Sequence, residues 1–118
     1  MTDEITAYHR LATYGTLAPG RVNHHQLDGL KGRWFKGHVR GTLVDSGWGA
    51  AEGYPGIYLE PEGSRVDVFV FESLDLPLHW PRLDALEGTE YERIIADIHT
   101  KDGIIAASIY ALRPEPTK

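Results

Sequence analysis

The sequence contains no cysteine, no long apolar run and no cluster of lysine or arginine. The absence of cysteine excludes disulfide bonds, thiolate metal sites and cysteine nucleophiles. The first residues, Met1 to Glu4, are acidic and lead into no long apolar stretch, so we expect neither a signal peptide nor a membrane span. The net charge of -5 disfavours nucleic-acid binding. We therefore expect a cytoplasmic protein whose partner is a small molecule.

The 118 residues fit one domain, because no repeat, low-complexity tract or linker divides them. We predict a single domain over residues 1–118. Alternating apolar residues and turn signals predict several strands. They cover Ile5 to Tyr14, Trp34 to Asp45 (bent or bulged at Gly37 and Gly41), Gly56 to Leu59, Val66 to Phe71, Tyr91 to His99 and Ile104 to Leu112.

Two short helices are predicted among these strands. One starts near Asn23 and carries Leu27 and Leu30; the other runs from Pro81 to Glu87. Lys101-Asp102-Gly103 is a hairpin signal between the last two strands. The predicted fold class is α+β, with a small, bent, mostly antiparallel sheet or partial β-barrel and short helices.

Glu87 is a carboxylate on the apolar face of its predicted helix. At about 100° per residue, it lies only about 40° from the centre of the apolar stripe at Leu83. Partial burial, the helix dipole and the neighbouring acids Asp84 and Glu90 are all expected to raise the pKa of Glu87 above the ordinary value near ~4.3. A carboxyl tuned in this way serves as a general acid/base. The alternative is that Glu87 is exposed by fraying or pairs with Arg93.

The loop that follows the first predicted strand is a second candidate feature. It reads Tyr14-Gly15-Thr16-Leu17-Ala18-Pro19-Gly20. By itself it is compatible with a structural turn, since Gly15 allows positive φ and Pro19-Gly20 favours a turn.

Taken together, these motifs resemble the gamma-glutamylcyclotransferase-like family, in particular its short form, which includes gamma-glutamylamine cyclotransferases. The matching pieces are Tyr14-Gly15-Thr16-Leu17, Pro19-Gly20 with Asn23-His24, and Leu83-Asp84-Ala85-Leu86-Glu87-Gly88 followed by Tyr91-Glu92-Arg93. They occur in the family's order and span most of the chain. Looser similarity includes Gly47-Trp48-Gly49 and Tyr54-Pro55-Gly56.

The resemblance implies a small barrel-like fold and a cyclotransferase of the acyltransferase or lyase type. The substrate's own α-amine attacks its side-chain carbonyl, closing 5-oxoproline, with Glu87 as the catalytic acid/base. No metal or cofactor is implied, since the nucleophile belongs to the substrate. Backbone N–H groups of Gly15, Thr16 and Leu17 are candidates to hold the substrate carboxylate.

Three tyrosines are weaker candidates for substrate binding. Tyr14, Tyr91 and Tyr110 either line the pocket or pack in the core. The histidines His9, His24, His25 and His38 are more typical of solvated or capping roles than of a metal site. The adjacent pair His24-His25 would point about 100° apart on a helix.

A binding or regulatory domain without catalysis, or a structural protein with a vestigial pocket, is the competing reading. A carboxylate on the apolar face of the helix, at Glu87, disfavours both of these alternatives.

Overall fold

The computed structural model describes residues 5–14, 27, 29–44, 56–87 and 91–112, with the side chains of Val44 and Glu87 excepted. The strands are β1 (Arg10–Thr13), β2 (Arg33–Val44), β3 (Gly56–Leu59), β4 (Ser64–Glu72), β5 (Tyr91–Thr100) and β6 (Gly103–Leu112). A 3-10 helix (Ala7–His9) precedes β1, and the helix α1 (Leu76–Glu87) joins β4 to β5. The predicted helix start at Asn23, the motif Gly47-Trp48-Gly49 and the residues Tyr54 and Pro55 lie outside the described residues.

The strands form a mixed β-barrel with one extra strand, as the predicted fold class requires. The sheet order is β3-β2-β4-β1-β6-β5, and a pairing of His38 with His99 joins β2 to β5 and closes the ring. β3 lies outside the closed ring, paired to the end of β2. All pairings are antiparallel except β1 with β6. The carboxyl ends of β1 and β6 therefore meet at one end of the barrel, where β5 begins.

β2 is the longest strand, and its two internal glycines serve close packing. The sequence predicts a bend or bulge at Gly37 and Gly41, but the register with β4 is unbroken from Arg33 to Gly41, so the bulge prediction is wrong for this pairing. A Cβ at Gly37 would lie 2.6 Å from Cγ2 of Ile98. A Cβ at Gly41 would clash with the carbonyl of Tyr58. Small residues are needed here because neighbouring strands cross closely.

The hairpin between β5 and β6 confirms the Asp-Gly signal. Thr100 pairs with Gly103 across the turn, and Gly103 has φ +121°, a conformation that favours glycine. The hydroxyl of Thr100 donates to the carbonyl of Gly103 at 2.7 Å and accepts the Asp102 N–H at 3.1 Å. Local turn chemistry fixes this register, which in turn aligns Arg93 with Tyr110 at the far end of the hairpin.

The first strand is shorter than the sequence predicts. Only Arg10–Thr13 of the stretch Ile5 to Tyr14 forms β1. Thr6 caps the preceding 3-10 helix, because its hydroxyl accepts the Tyr8 N–H at 3.2 Å while its own N–H donates to Nδ1 of His9 at 3.0 Å. Such local side-chain bonds compete with strand pairing.

Helix α1 starts five residues earlier than predicted, so Pro81 lies inside the helix and not at its first position. Ser73 sets the start: its Oγ accepts the Asp75 N–H at 3.1 Å and its carbonyl accepts the Leu76 N–H at 3.3 Å. Pro81 has no N–H for the carbonyl four residues before it. No helix in the described part of the chain is long and apolar enough to cross a membrane.

Two apolar clusters stabilise the fold. One fills the barrel, and the other lies between the barrel wall and α1. On β6, Ala107, Ile109 and Ala111 belong to the first cluster, whereas Tyr110 and Leu112 belong to the second. This alternation follows from the two-residue period of a strand, and it buries both faces of β6.

The buried face of α1 carries Leu76, Trp80 and Leu83, spaced by four and three residues. Leu83 is fully buried, which contributes about 2 kcal/mol. The sequence also places Leu86 on this stripe, but Leu86 is 39% exposed.

Candidate active site

Tyr14 lies directly after β1, at the carboxyl end of that strand. Its hydroxyl donates to the main-chain carbonyl of Tyr110 on β6 and accepts the Ile57 N–H of β3 at 3.2 Å. Its half-buried ring packs against the cluster inside the barrel. Tyr14 therefore ties three strands together at the point where the glycine loop begins.

Tyr110 connects that strand end to helix α1. Its carbonyl accepts from Tyr14, and its own hydroxyl donates to Oδ1 of Asp84 at 2.6 Å. The ring is 5% exposed and meets the edge of Trp80, with 6.5 Å between ring centroids. A phenol with an apolar body and a bonded hydroxyl is a typical arrangement for a buried tyrosine.

Asp84 is held by two donors on the barrel. Nε of Arg93 lies 2.9 Å from Oδ1 of Asp84, and Nη2 lies 3.3 Å from Oδ2, so the guanidinium grips both oxygens. Partial burial by itself would raise the pKa of Asp84, but the hydrogen bonds from Arg93 and Tyr110 and the Arg93 charge outweigh it and lower that pKa. The Arg93 guanidinium also lies over the Trp80 ring, 4.4 Å from its centroid.

The same contacts act on Arg93 in the opposite direction. The hydrogen bond to Asp84 raises the pKa of Arg93 against the effect of burial. Both partners are thus held in their charged forms. Trp80 is fixed further by Nε1, which donates to the Tyr8 carbonyl at 3.1 Å. The carboxyl half of α1 is consequently anchored to β5, β6 and the 3-10 helix.

Thr13 is a buried polar residue beside this network. It is 4% exposed, and its hydroxyl has no hydrogen-bond partner among the residues that the structure describes. Parallel pairing of β1 with β6 sets Leu11 beside Ser108 and Ala12 beside Ile109, so Thr13 comes next to Tyr110. A buried hydroxyl without a hydrogen bond costs about 1–3 kcal/mol of folding free energy. Thr13 lies directly before the loop that begins at Tyr14.

The structure brings together three of the residues that the sequence nominates. Tyr14 and Tyr110 are in contact, and Tyr91 is 8% exposed in the same apolar cluster as Tyr110. The nominated loop residues Gly15, Thr16 and Leu17 lie outside the described residues. Glu87 is the last residue of α1, three residues after Asp84, and its side chain also lies outside the described part.

Sequence reasoning missed the central role of Asp84. It treated Asp84 only as an acid near Glu87, and it considered Arg93 a possible partner of Glu87. The available signal was weak, because Asp84 and Arg93 are nine residues apart on different elements. The Asp84 charge that was expected to raise the pKa of Glu87 faces the Arg93 cation.

The histidines of the described residues have structural contacts. His9 belongs to the cap of the 3-10 helix, and the ring of His38 stacks on that of His99 at 4.9 Å between centroids. Within residues 5–14, 27, 29–44, 56–87 and 91–112, no group of three or more histidines and acids is arranged to hold a metal ion. His24 and His25 lie outside those ranges.

A family model described as gamma-glutamyl cyclotransferase, AIG2-like matches residues 11–118. Among solved structures, the chain is similar to YkqA from Bacillus subtilis at 27% identity and a TM-score of 0.68, covering 88% of this chain and 35% of that chain. It is similar to PH0828 from Pyrococcus horikoshii at 25% identity and a TM-score of 0.63, covering 92% of this chain and 80% of that one.

An AIG2-like protein from Mus musculus shares the fold, with 21% identity, a TM-score of 0.70, and coverage of 87% of this chain and 76% of that chain. The chain spans only about a third of the length of YkqA from Bacillus subtilis. No curated protein matches it.

Proposed function

Because the chain belongs to the gamma-glutamyl cyclotransferase, AIG2-like family, we propose that it is a cyclotransferase that releases 5-oxoproline from a gamma-glutamyl amine or amino acid. The family implies a small-molecule substrate. The proposed leaving group is the amine or amino acid held in amide linkage to the side-chain carbonyl of the glutamyl unit.

The proposed reaction is an intramolecular aminolysis. The α-amine nitrogen of the substrate bonds to the γ-carbonyl carbon, the carbonyl becomes a tetrahedral oxyanion, and the C–N bond to the leaving amine then breaks. One proton leaves the attacking nitrogen and one reaches the departing nitrogen, so a single carboxyl that accepts and then donates a proton balances the steps. The reaction consumes no water and needs no redox partner, and we propose that it proceeds without a metal.

Glu87 is the residue proposed for this proton transfer. It ends helix α1, whose buried residues Leu76, Trp80 and Leu83 define one face. Glu87 follows Leu83 by four residues and Trp80 by seven, which is the spacing that continues that face. The acid proposed for catalysis is therefore carried on a helix that is fixed to the barrel by Asp84.

The loop Gly15 to Leu17 is proposed to bind the substrate α-carboxylate through backbone N–H groups. Fixing the carboxylate would orient the neighbouring amine toward the γ-carbonyl, which converts ring closure into a reaction between prepositioned groups. Tyr14 is proposed as a pocket residue through its ring, because its hydroxyl is already engaged by Tyr110 and Ile57.

The observation that carries this proposal is the position of Tyr110. It contacts Tyr14, which begins the loop, and Asp84, which lies one helical turn before Glu87. The loop after Tyr14 and the carboxyl end of α1 therefore lie at the same end of the barrel, and Tyr110 links them. Tyr91 begins β5 at this end and is a further candidate for the pocket wall.

The proposal is tested by incubating the protein with gamma-glutamyl amino acids, glutathione and gamma-glutamyl-lysine derivatives, and measuring 5-oxoproline by mass spectrometry. We expect turnover of at least one member, unchanged by EDTA. Absence of 5-oxoproline from every member, with saturable binding of one of them, would favour the alternative of a binding or regulatory domain.

The role of Glu87 is tested by Glu87→Gln, with Glu62→Gln as the matched control in the exposed turn before β4. We expect Glu87→Gln to lower kcat by about 10²–10⁴-fold while substrate affinity and the thermal midpoint are retained, because the amide cannot exchange the proton. The control should keep wild-type kcat. Wild-type turnover in Glu87→Gln would remove this residue from the mechanism.

A further inference from the structure

A cleft lies beside the start of β1 and the β5–β6 hairpin, away from Tyr14 and Tyr110. Its volume is about 1100 Å³, and it is lined by the start of β1, the first half of β2, most of the length of β4 and the β5–β6 hairpin. Arg10 opens β1, whereas Thr13 ends it and Tyr14, a residue of the proposed active site, follows directly. We call this cleft, lined by Arg10, Arg33, Lys36, Lys101, His38 and His99 among others, the basic cleft.

The charge of the basic cleft is opposite to that of the chain. Five lysine or arginine side chains line it against three acids, although the whole chain has a net charge of -5. A local excess of cations in an acidic protein creates a positive potential that low-dielectric walls concentrate. Phe35, Phe69 and Ile105 supply such walls.

In the basic cleft, two guanidinium groups share one carboxylate. Nε of Arg10 and Nε of Arg33 each lie 2.9 Å from a different oxygen of Glu72. Partial burial would raise the pKa of Glu72, but the hydrogen bonds from both arginines and their charges outweigh it and lower that pKa. The triad consequently keeps one positive charge, and its Arg10 side chain is only 18% exposed.

Donors remain available at this triad. Arg10 donates from Nη1 to the carbonyl of Ala106 at 3.0 Å, and within the described part of the chain Arg33 donates from Nε alone. Among the residues that the structure describes, the Nη groups of Arg33 meet no acceptor. A guanidinium fork with free Nη groups matches the paired oxygens of a phosphate or a carboxylate.

Lys36 and Lys101 add two cations without a carboxylate partner in the described part of the chain. The ammonium of Lys36 lies 6.0 Å from the centroid of the Phe69 ring, and the Arg33 guanidinium lies 4.9 Å from that of Phe35. Aromatic rings thus hold these cations beside the cleft without neutralising them.

The stacked imidazoles of His38 and His99 lie at the same cleft. Desolvation, followed by the charges of Arg65, His99 and Arg40, lowers the pKa of His38, and the Asp67 carboxylate opposes them. Desolvation and the surrounding cations therefore disfavour protonation of His38, and an anion bound beside them would favour it. The charged and titratable groups that act on this imidazole are Arg40 on β2, Arg65 and Asp67 on β4, and His99 on β5. Lys36 lines the same cleft.

We propose that the basic cleft binds a small multivalent anion, carrying two phosphate or carboxylate groups, through Arg33, Lys36 and Lys101. Two anionic groups match the two sets of cations that line the cleft, the Arg10 and Arg33 pair at Glu72 and the lysines Lys36 and Lys101. This site is distinct from the proposed active site, and it stands whether or not the chain releases 5-oxoproline.

The test is calorimetric titration with inorganic pyrophosphate, with citrate, and with acetate as a monovalent control at matched ionic strength. We expect saturable one-to-one binding of pyrophosphate, citrate or both, and none of acetate; the pattern identifies phosphate or carboxylate as the preferred group. Binding should tighten as the pH falls through the His38 titration, because protonation adds a cation. In NMR titrations, a bound anion should raise the pKa of His38.

Arg33→Gln and Lys36→Gln should each weaken binding about tenfold, the effect of losing roughly 1.4 kcal/mol of charge-assisted contact. Arg82→Gln removes another exposed guanidinium from helix α1 and should leave affinity unchanged. Circular dichroism checks that each variant is folded. Equal weakening by Arg82→Gln, or titrations with both polyanions that match acetate, would overturn the proposal.

Discussion

Tyr110→Phe removes one hydroxyl from the link between the barrel and helix α1 and keeps the aromatic ring. The hydroxyl donates to Asp84 at 2.6 Å, and a hydrogen bond to a charged group contributes about 1.5–3 kcal/mol. The Asp84 side chain is 44% exposed and keeps its bond to Arg93, so solvent screening favours the lower end, about 1.5 kcal/mol. For a domain of this size we expect the thermal midpoint to fall by about 6 °C.

The loss should depend on pH with a defined sign. Contacts with Arg93 and Tyr110 lower the pKa of Asp84 in the folded state, so its contribution to stability is present above the unfolded-state pKa of ~3.9 and is lost as the pH falls through the folded-state value. The difference between wild type and Tyr110→Phe should be constant above about pH 5 and should narrow in acid.

The assay is urea unfolding followed by circular dichroism at several pH values. Tyr8→Phe is the control, because the Tyr8 side chain is 52% exposed and its loss of a hydroxyl should change the free energy of unfolding by less than about 0.5 kcal/mol. If Tyr110→Phe is as stable as wild type from pH 4 to pH 8, the hydroxyl does not anchor α1, and the link between the two halves of the proposed site is refuted.

Three further predictions address the described barrel. Thr13→Val should be neutral or should raise the free energy of unfolding by up to about 2 kcal/mol, since it removes, at nearly constant volume, a buried hydroxyl that has no partner among the described residues; marked destabilisation in urea would show that the hydroxyl is bonded. Gly37→Ala should lower the free energy of unfolding by about 1–3 kcal/mol, because its Cβ would lie 2.9 Å from the carbonyl oxygen of His99. An unchanged thermal midpoint would contradict this close approach. Glu72→Gln should lower the free energy of unfolding by about 2 kcal/mol at neutral pH, because Arg10 loses its counter-ion. This difference from wild type should shrink as the pH falls through the lowered pKa of Glu72, and a difference that is independent of pH in thermal melts would refute the ion pair.

Local patterns were sufficient for most of the strands. The alternation of β4, the long run of β2, and Gly103 after Asp102 all depend on neighbours within a few residues, and the structure confirms them. The start of α1 was missed because Ser73 is positioned partly by tertiary contact, its N–H donating to the His9 carbonyl at 2.8 Å. The length of β1 was overestimated because Thr6 caps a 3-10 helix over Ala7–His9, where the prediction had extended backbone.

The sequence by itself determined the strand-rich α+β fold, the turn chemistry and the pair of motifs that resemble a cyclotransferase, because these depend on short-range periodicity and on residue types at fixed spacing. Only the tertiary structure decided that Tyr110 bridges Tyr14 and Asp84, and that cations from β1, β2 and the distant hairpin gather in one cleft. These contacts join residues as far as 96 positions apart. Closure of the barrel sets such distances, and no local pattern along the chain encodes them.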